Sequence, residues 1–223
     1  MIDCNTFIIE APNMDLQYGS PDRPIWLIGD SNPACANDLA HPLDPRHPSR
    51  HSIWTPVLHV IQERVFPRRL RAYGYDPDAD ALYIRNAVTD PLHRRDPKHV
   101  ALQVDSLRDL YHQQQPILVL SFGAFAFSVC RHAFESDNTD SAGVIAAVPK
   151  LKVDRLADEF ARRHLDRAIR LLPLLHQSAA RSFQHVDRAY RAVGARTYFE
   201  FTGNSIAARL LEHESAPIWS AHP

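Results

Sequence analysis

The chain predicts an α/β protein: a three-layer fold with a central, mostly parallel four-stranded sheet flanked by helices. Three observations predict it. Four short apolar runs recur, at residues 24–28, 81–84, 116–120 and 169–175. They lack the polar alternation of a half-solvated strand, as strands covered on both faces do. Segments with apolar residues at helical spacing lie between them, and strand–helix alternation builds parallel sheets.

Each element follows in order. Residues 1–23 are a polar, turn-rich lead-in, and the strand at 24–28 is ended by Gly29. The loop from 30 to 52 is rich in proline and histidine, and loops of that length in compact domains are usually functional or unstructured. Val57, Leu58, Ile61 and Val65 mark a helix over 54–66, with Pro56 tolerated in its first turn. The strand at 81–84 ends at Arg85-Asn86. A loop over 89–97 then enters a helix over 98–112, with Asp96 as N-cap and Pro97 at its first position. The strand at 116–120 turns at Gly123 into a helix over 124–134. Residues 135–168 read as an insertion, a polar loop followed by a charged helix from Val153 to about Leu165. The fourth strand ends at His176-Gln177-Ser178. A helix over 182–193 stops at Gly194, and a last short helix over 204–213 is capped by Asn204. Internal repeats and low-complexity tracts are absent from the sequence, and 223 residues suit a single domain over 1–223.

Composition narrows the function. Apolar residues make up 45% and charged residues 23%, an ordinary globular balance that excludes a disordered or fibrous chain. No apolar run approaches the ~18 residues of a membrane span. The first twelve residues carry acids where an export signal carries Lys or Arg, so a cytoplasmic, non-membrane protein is expected. The formal net charge of −1 means that nucleic-acid contact must come from a local patch. Only Lys98, Lys150 and Lys152 are lysines among 25 basic residues. Base composition of the genome is the plain cause, yet arginine also suits forked phosphate contacts. Cys4, Cys35 and Cys130 have no metal, cluster or disulfide spacing, so neither a cofactor nor a metal is expected. His41, His47 and His51 share one loop without a second ligand motif and read as loop histidines.

In parallel sheets the site lies beyond the carboxyl ends of the strands. Gly29-Asp30-Ser31-Asn32 follows the first strand, Asn86 the second and His176 the fourth. Singly, each has a plainer role: a turn acid, a turn amide, a structural imidazole. Together they offer a carboxylate to orient water or stabilise a developing cation, an amide to read a base edge, and an imidazole to meet a leaving anion.

These residues resemble the uracil-DNA glycosylase superfamily, over about 25–181. Ile28-Gly29-Asp30-Ser31-Asn32-Pro33 is similar to its first motif, a glycine before a water-activating acid or amide. The run 82–88, ending Arg85-Asn86-Ala87-Val88, resembles the strand whose asparagine reads the flipped base. Residues 117–124 resemble the strand–glycine–helix unit between. Leu175-His176-Gln177-Ser178-Ala179 is similar to the last motif, usually H-P-S. The resemblance implies Asp30 and His176 as catalytic residues, with Gly29, Ser31, Asn32 and Asn86 around the base. It also implies that Gln177 to Phe183 probes DNA, with Gln177 and Ser178 in contact, Arg181 on phosphate and Phe183 as a wedge. DNA is then the partner, and a monomer is expected.

The chain departs from the pattern in four places. It lacks the four cysteines of the iron–sulfur branch, so no cluster is expected. It also lacks the thymine-blocking tyrosine after Pro33, an aromatic platform in 34–52, and the proline at position 177. One branch of the superfamily removes glucosylated hydroxymethylcytosine from viral DNA. The missing tyrosine and the insertion are compatible with such a base, and the reading favours modified cytosine over uracil. Lys150, Lys152, Arg155, Arg162 and Arg163, with Arg94, Arg95 and Lys98, are the candidate phosphate-binding face. The plainer reading of the insertion helix is a solvated face balanced by Asp154, Asp158 and Glu159. Two other functions fit parts of the chain. Gly29-Asp30-Ser31 also opens GDSL-type esterases, with Ser31 as nucleophile, but their G-x-N-D block is missing. A base sensor without turnover would keep the same pocket.

Overall fold

The computed structural model describes residues 17–32, 39, 42, 44, 57–61, 82–89, 91–136, 153–175 and 194–212. Four strands, β1 (Ile25–Ser31), β2 (Leu82–Val88), β3 (Leu118–Phe122) and β4 (Leu171–Leu174), form one sheet. Their order is β2-β1-β3-β4 and every pairing is parallel. The helices are α1 (Pro97–Gln114), α2 (Ala124–Glu135), α3 (Val153–Arg163) and α4 (Tyr198–Glu212), with a 3-10 turn at Pro91–Arg95 and a helical segment at 57–61. The expected three-layer α/β architecture is present. Among the described residues no helix is long and apolar enough to cross a membrane.

Alternation along β1 divides the core in two. Trp26 and Ile28 face Val100, Val104 and Leu107 of α1 and Ala126, Phe127, Val129 and Cys130 of α2. Ile25 and Leu27 face the opposite layer, where Val57, Leu58 and Ile61 meet Ile206 and Leu210 of α4. Leu156 and Ala157 of α3 join the first cluster and Phe160 the second, so the helix read as part of an insertion packs into the core. Trp26 anchors the first cluster: its indole N–H donates to the carbonyls of Pro21 and Arg23, at 3.0 and 2.9 Å, and its ring meets Tyr83 edge-on.

Strands β1 and β2 run further than their apolar cores. The apolar runs end at Gly29 and Arg85-Asn86, yet pairing continues through Gly29↔Asn86 to Ser31↔Val88. The ladder is made by backbone groups, so polar side chains at the strand ends do not stop it. On the free side of β2, Tyr18 and Ile84 exchange two backbone hydrogen bonds of 2.8 Å, which blunts that edge.

The helix boundaries have local causes. Asp96 caps α1 as expected, accepting from the Lys98 N–H at 3.0 Å, with Pro97 at the first position. Gly123 makes the tight β3–α2 turn at φ +91°, a left-handed value that favours glycine, and its N–H donates to Leu174 O at 2.8 Å. Helix α4 starts at Tyr198, six residues before the expected start, and Asn204 lies inside it. Its true signal is Thr197-x-x-Glu200. The Thr197 hydroxyl accepts from the Glu200 N–H at 3.1 Å, and the Glu200 carboxylate accepts from the Arg196 N–H at 2.8 Å. The expected helix over 182–193 lies outside the described residues.

Gly203 lets α4 close on the 57–61 segment. A Cβ there would sit 2.6 Å from Cβ of Val60 and 2.7 Å from its Cγ1, both stiff parts of a branched side chain. Gly203→Ala is therefore expected to destabilise the fold by about 1–3 kcal/mol, the usual cost of overpacking. Urea unfolding reads this as a lower midpoint with an unchanged slope; an unmoved midpoint would mean that the two helices part freely.

Candidate active site

The strand order moves from β1 to β2 on one side and then to β3 on the other. That reversal falls at the carboxyl end of β1, where α/β sheets as a rule place their ligands. The sequence delivers Gly29, Asp30 and Ser31 there on the last turns of the β1 pleat. Asn32 follows, its N–H donating to Thr89 O at 3.2 Å. Asn86 arrives on β2 opposite Gly29.

Two side-chain amides meet at this edge. Asn86 Nδ2 donates to Asn32 Oδ1 at 2.6 Å, and both residues are buried. A buried amide needs partners, and each supplies one to the other across 54 positions of sequence. Arg85 steadies the backbone beside them: its Nε donates to Asn86 O at 3.3 Å and its Nη2 to Gln103 Oε1 of α1 at 3.1 Å.

Asp30 is half-buried, its side chain 31% exposed. Arg94 of the 3-10 turn brings Nε to 3.0 Å from Oδ1, an ion pair without the alignment of a hydrogen bond. The Arg94 guanidinium also lies over the Phe125 ring of α2, 4.9 Å from its centre. Burial pushes the Asp30 carboxyl above the usual carboxylate range, and Arg94 pulls against it without cancelling it. A carboxylate so placed is a stronger base than one in water, and the adjacent cation keeps its charged form accessible.

The structure thus brings Gly29, Asp30, Ser31, Asn32 and Asn86 to the carboxyl ends of β1 and β2; by the alternation of the strands Asp30 continues the Trp26–Ile28 face and Asn86, level with Gly29, the Ile25–Leu27 face. Arg94 joins them as the partner of the carboxylate, a role its position in a basic loop did not signal. Arg95 and Lys98 are exposed on the same turn and at the start of α1. Strand β4 brings the chain to Leu175, whose N–H donates to Tyr198 Oη at 3.1 Å. His176, Gln177, Ser178, Arg181 and Phe183 lie outside the described residues, as do Lys150 and Lys152.

Arg162 and Arg163 stand on a helix packed at the opposite edge of the sheet from the turn that carries Arg94 and Arg95. Helix α3 packs on β4, the strand at the far edge of the sheet from β2. Arg163 reaches Leu171 O at the start of that strand. By register, Leu171 stands level with Val119 and hence with Trp26, four residues before Asp30. At ~3.3 Å per residue that is about 13 Å down the sheet from the carboxylate. Arg163 is also turned inward. It donates to Glu135 at 2.9 Å and to Glu159 at 2.7 Å, lies over the Phe127 ring and is 11% exposed. Arg162 projects outward beside Glu159 at 73% exposure. Arg163 therefore clamps α3 to α2 in place of the phosphate contact expected of it.

Arg163→Ala is expected to cost about 1.5–3 kcal/mol, the range for charge-assisted hydrogen bonds, and Arg162→Ala under about 0.5 kcal/mol. Thermal melts of the two variants test this ordering; equal melting points would remove the clamp.

Cys130 is buried in the first core cluster, where burial pushes its thiol far up and leaves it unreactive. Among the described residues no three His, Cys, Asp or Glu side chains converge as a metal would require. Compared with models of known protein families and with curated proteins, the chain matches none.

Proposed function

We propose that this chain is a DNA glycosylase. It hydrolyses the N-glycosidic bond of a flipped, modified pyrimidine and leaves an abasic site, in phage defence or base-excision repair. The observation that carries the reading is the half-buried Asp30 carboxylate at the carboxyl end of β1, two residues before Asn32 of the buried Asn32–Asn86 amide pair. A carboxylate and base-reading amides are the two chemistries that such a reaction needs in one pocket.

The target nucleotide leaves the stack at a cost of a few kcal/mol and enters the site. As the glycosidic bond stretches, positive charge builds on the sugar and negative charge on the base. Asp30 stabilises the sugar cation and orients the attacking water, as carboxylates do in glycoside hydrolysis. Arg94 positions Asp30 and holds its charge. His176, by the family resemblance, meets the departing base anion. Asn86 gives an N–H to Asn32 and keeps Oδ1 as an acceptor. That acceptor can meet the exocyclic amine of a cytosine-type base, and the second N–H of the amide remains for a carbonyl or ring nitrogen. We assign the protein DNA as its partner, a monomeric state and a cytoplasmic location.

The deciding experiment compares duplexes containing uracil, hydroxymethylcytosine and glucosylated hydroxymethylcytosine. Released base and alkali-labile sites are scored for each. Release from a modified-cytosine duplex is the expected result. Tight binding with no abasic sites on any duplex would leave a base sensor in place of an enzyme.

A further inference from the structure

The 3-10 turn Pro91–Arg95 joins β2 to α1 at the edge that carries Asp30, and none of its residues is buried. It is nevertheless fastened on both sides. The His93 ring stacks on His99 of α1 with centres 3.8 Å apart, and Asp96 N–H donates to His93 O at 3.1 Å. Arg94 is held between Asp30 and Phe125. Such a turn is already ordered, so presenting its apex to a partner carries little further loss of freedom.

The apex is Leu92, 78% exposed, the most exposed of the large apolar side chains described. A lone exposed leucine is unremarkable on most surfaces. This one stands two residues from the arginine that touches the candidate catalytic carboxylate. Arg95 and Lys98, both exposed, flank it with positive charge, and Asp96 spends its carboxylate on the α1 cap. An apolar tip on a rigid basic turn is the chemistry of side chains that enter a base stack while neighbouring cations hold phosphates.

We propose that Leu92 is a wedge that enters duplex DNA beside the nucleotide delivered to Asp30, with Arg95 and Lys98 on the flanking phosphates. The inference rests on the glycosylase reading for its substrate. It places a probing element on the β2–α1 turn, separate from the 177–183 segment.

The test uses the full chain and a duplex with 2-aminopurine next to hydroxymethylcytosine, together with the same strand unpaired. Wild type should raise 2-aminopurine fluorescence on the duplex as the stack opens. Leu92→Ala should lose most of that rise and release base roughly 10-fold more slowly from duplex, with unchanged release from the single strand, because only the duplex must be unstacked. Leu92→Phe should restore both signals. Equal fluorescence from wild type and Leu92→Ala overturns the wedge, even if base release continues and the glycosylase reading stands. A Leu92-dependent rise without release from any DNA supports the wedge and removes the glycosylase. Equal slowing on duplex and single strand also overturns it, in favour of a general effect on the pocket. Because Leu92 is exposed, a thermal melt should show all variants folded as wild type.

Discussion

Asp30→Asn is expected to lower base release by at least ~10²-fold, the scale of losing one preorganised electrostatic contact to a transition state. The same change should make the protein more resistant to urea at neutral pH. The sign follows from burial. Asp30 has its carboxyl raised above the ordinary range, chiefly by desolvation, with Arg94 opposing. A group raised on folding favours the fold below its unfolded value, and that favour is lost as pH climbs through the folded value. At neutral pH the ionised carboxylate is therefore a burden on stability that a neutral amide of the same shape removes. Activity has the opposite need, because only the ionised form orients water. The acid limb of kcat/KM against pH should then lie above the usual carboxylate range, and Arg94→Ala should move it higher still. Arg94 is the charge that faces Asp30, and it lowers the value, so burial is what raises it. Wild-type turnover in Asp30→Asn would place the chemistry elsewhere.

Asn86→Ala should cut kcat/KM on the preferred base by about 10- to 100-fold, the worth of one good bidentate base contact at ~1–3 kcal/mol. DNA affinity should change far less, since phosphate contacts supply most of it. Two losses combine here. The base edge loses its reader, and Asn32 is left with a buried oxygen that had accepted at 2.6 Å. Asn32→Ala should therefore imitate part of the effect, by letting the Asn86 amide turn. A competition assay between uracil and modified cytosine duplexes reads the change as a flattened preference. An unaltered preference in Asn86→Ala would remove the amide pair from base recognition.

Much of the architecture was legible. Four apolar runs separated by helical periodicity determine a parallel sheet, because strands covered on both faces need uninterrupted apolar residues. Asp96 and Pro97 marked the start of α1, and Gly123 the turn into α2, since caps and left-handed turns are local chemistry. The start of α4 is equally local, written as Thr197-x-x-Glu200, whereas Asn204, a cap by type, lies inside the helix. The placement of Gly29, Asp30, Ser31, Asn32 and Asn86 at the carboxyl ends of β1 and β2 also followed from sequence, through the rule that parallel sheets bind ligands at their carboxyl ends.

Local sequence thus specifies the layers, the strand ends and the types of side chain gathered there. Those depend on periodicity and on neighbours a few residues away. Long-range packing chose the partners. Asn32 found Asn86, Arg94 found Asp30 rather than open solvent, and Arg163 turned inward to Glu135. Each of those choices depends on strand order and register, which bring together groups dozens of positions apart, and on burial, which makes an unmatched charge or amide too costly to leave alone.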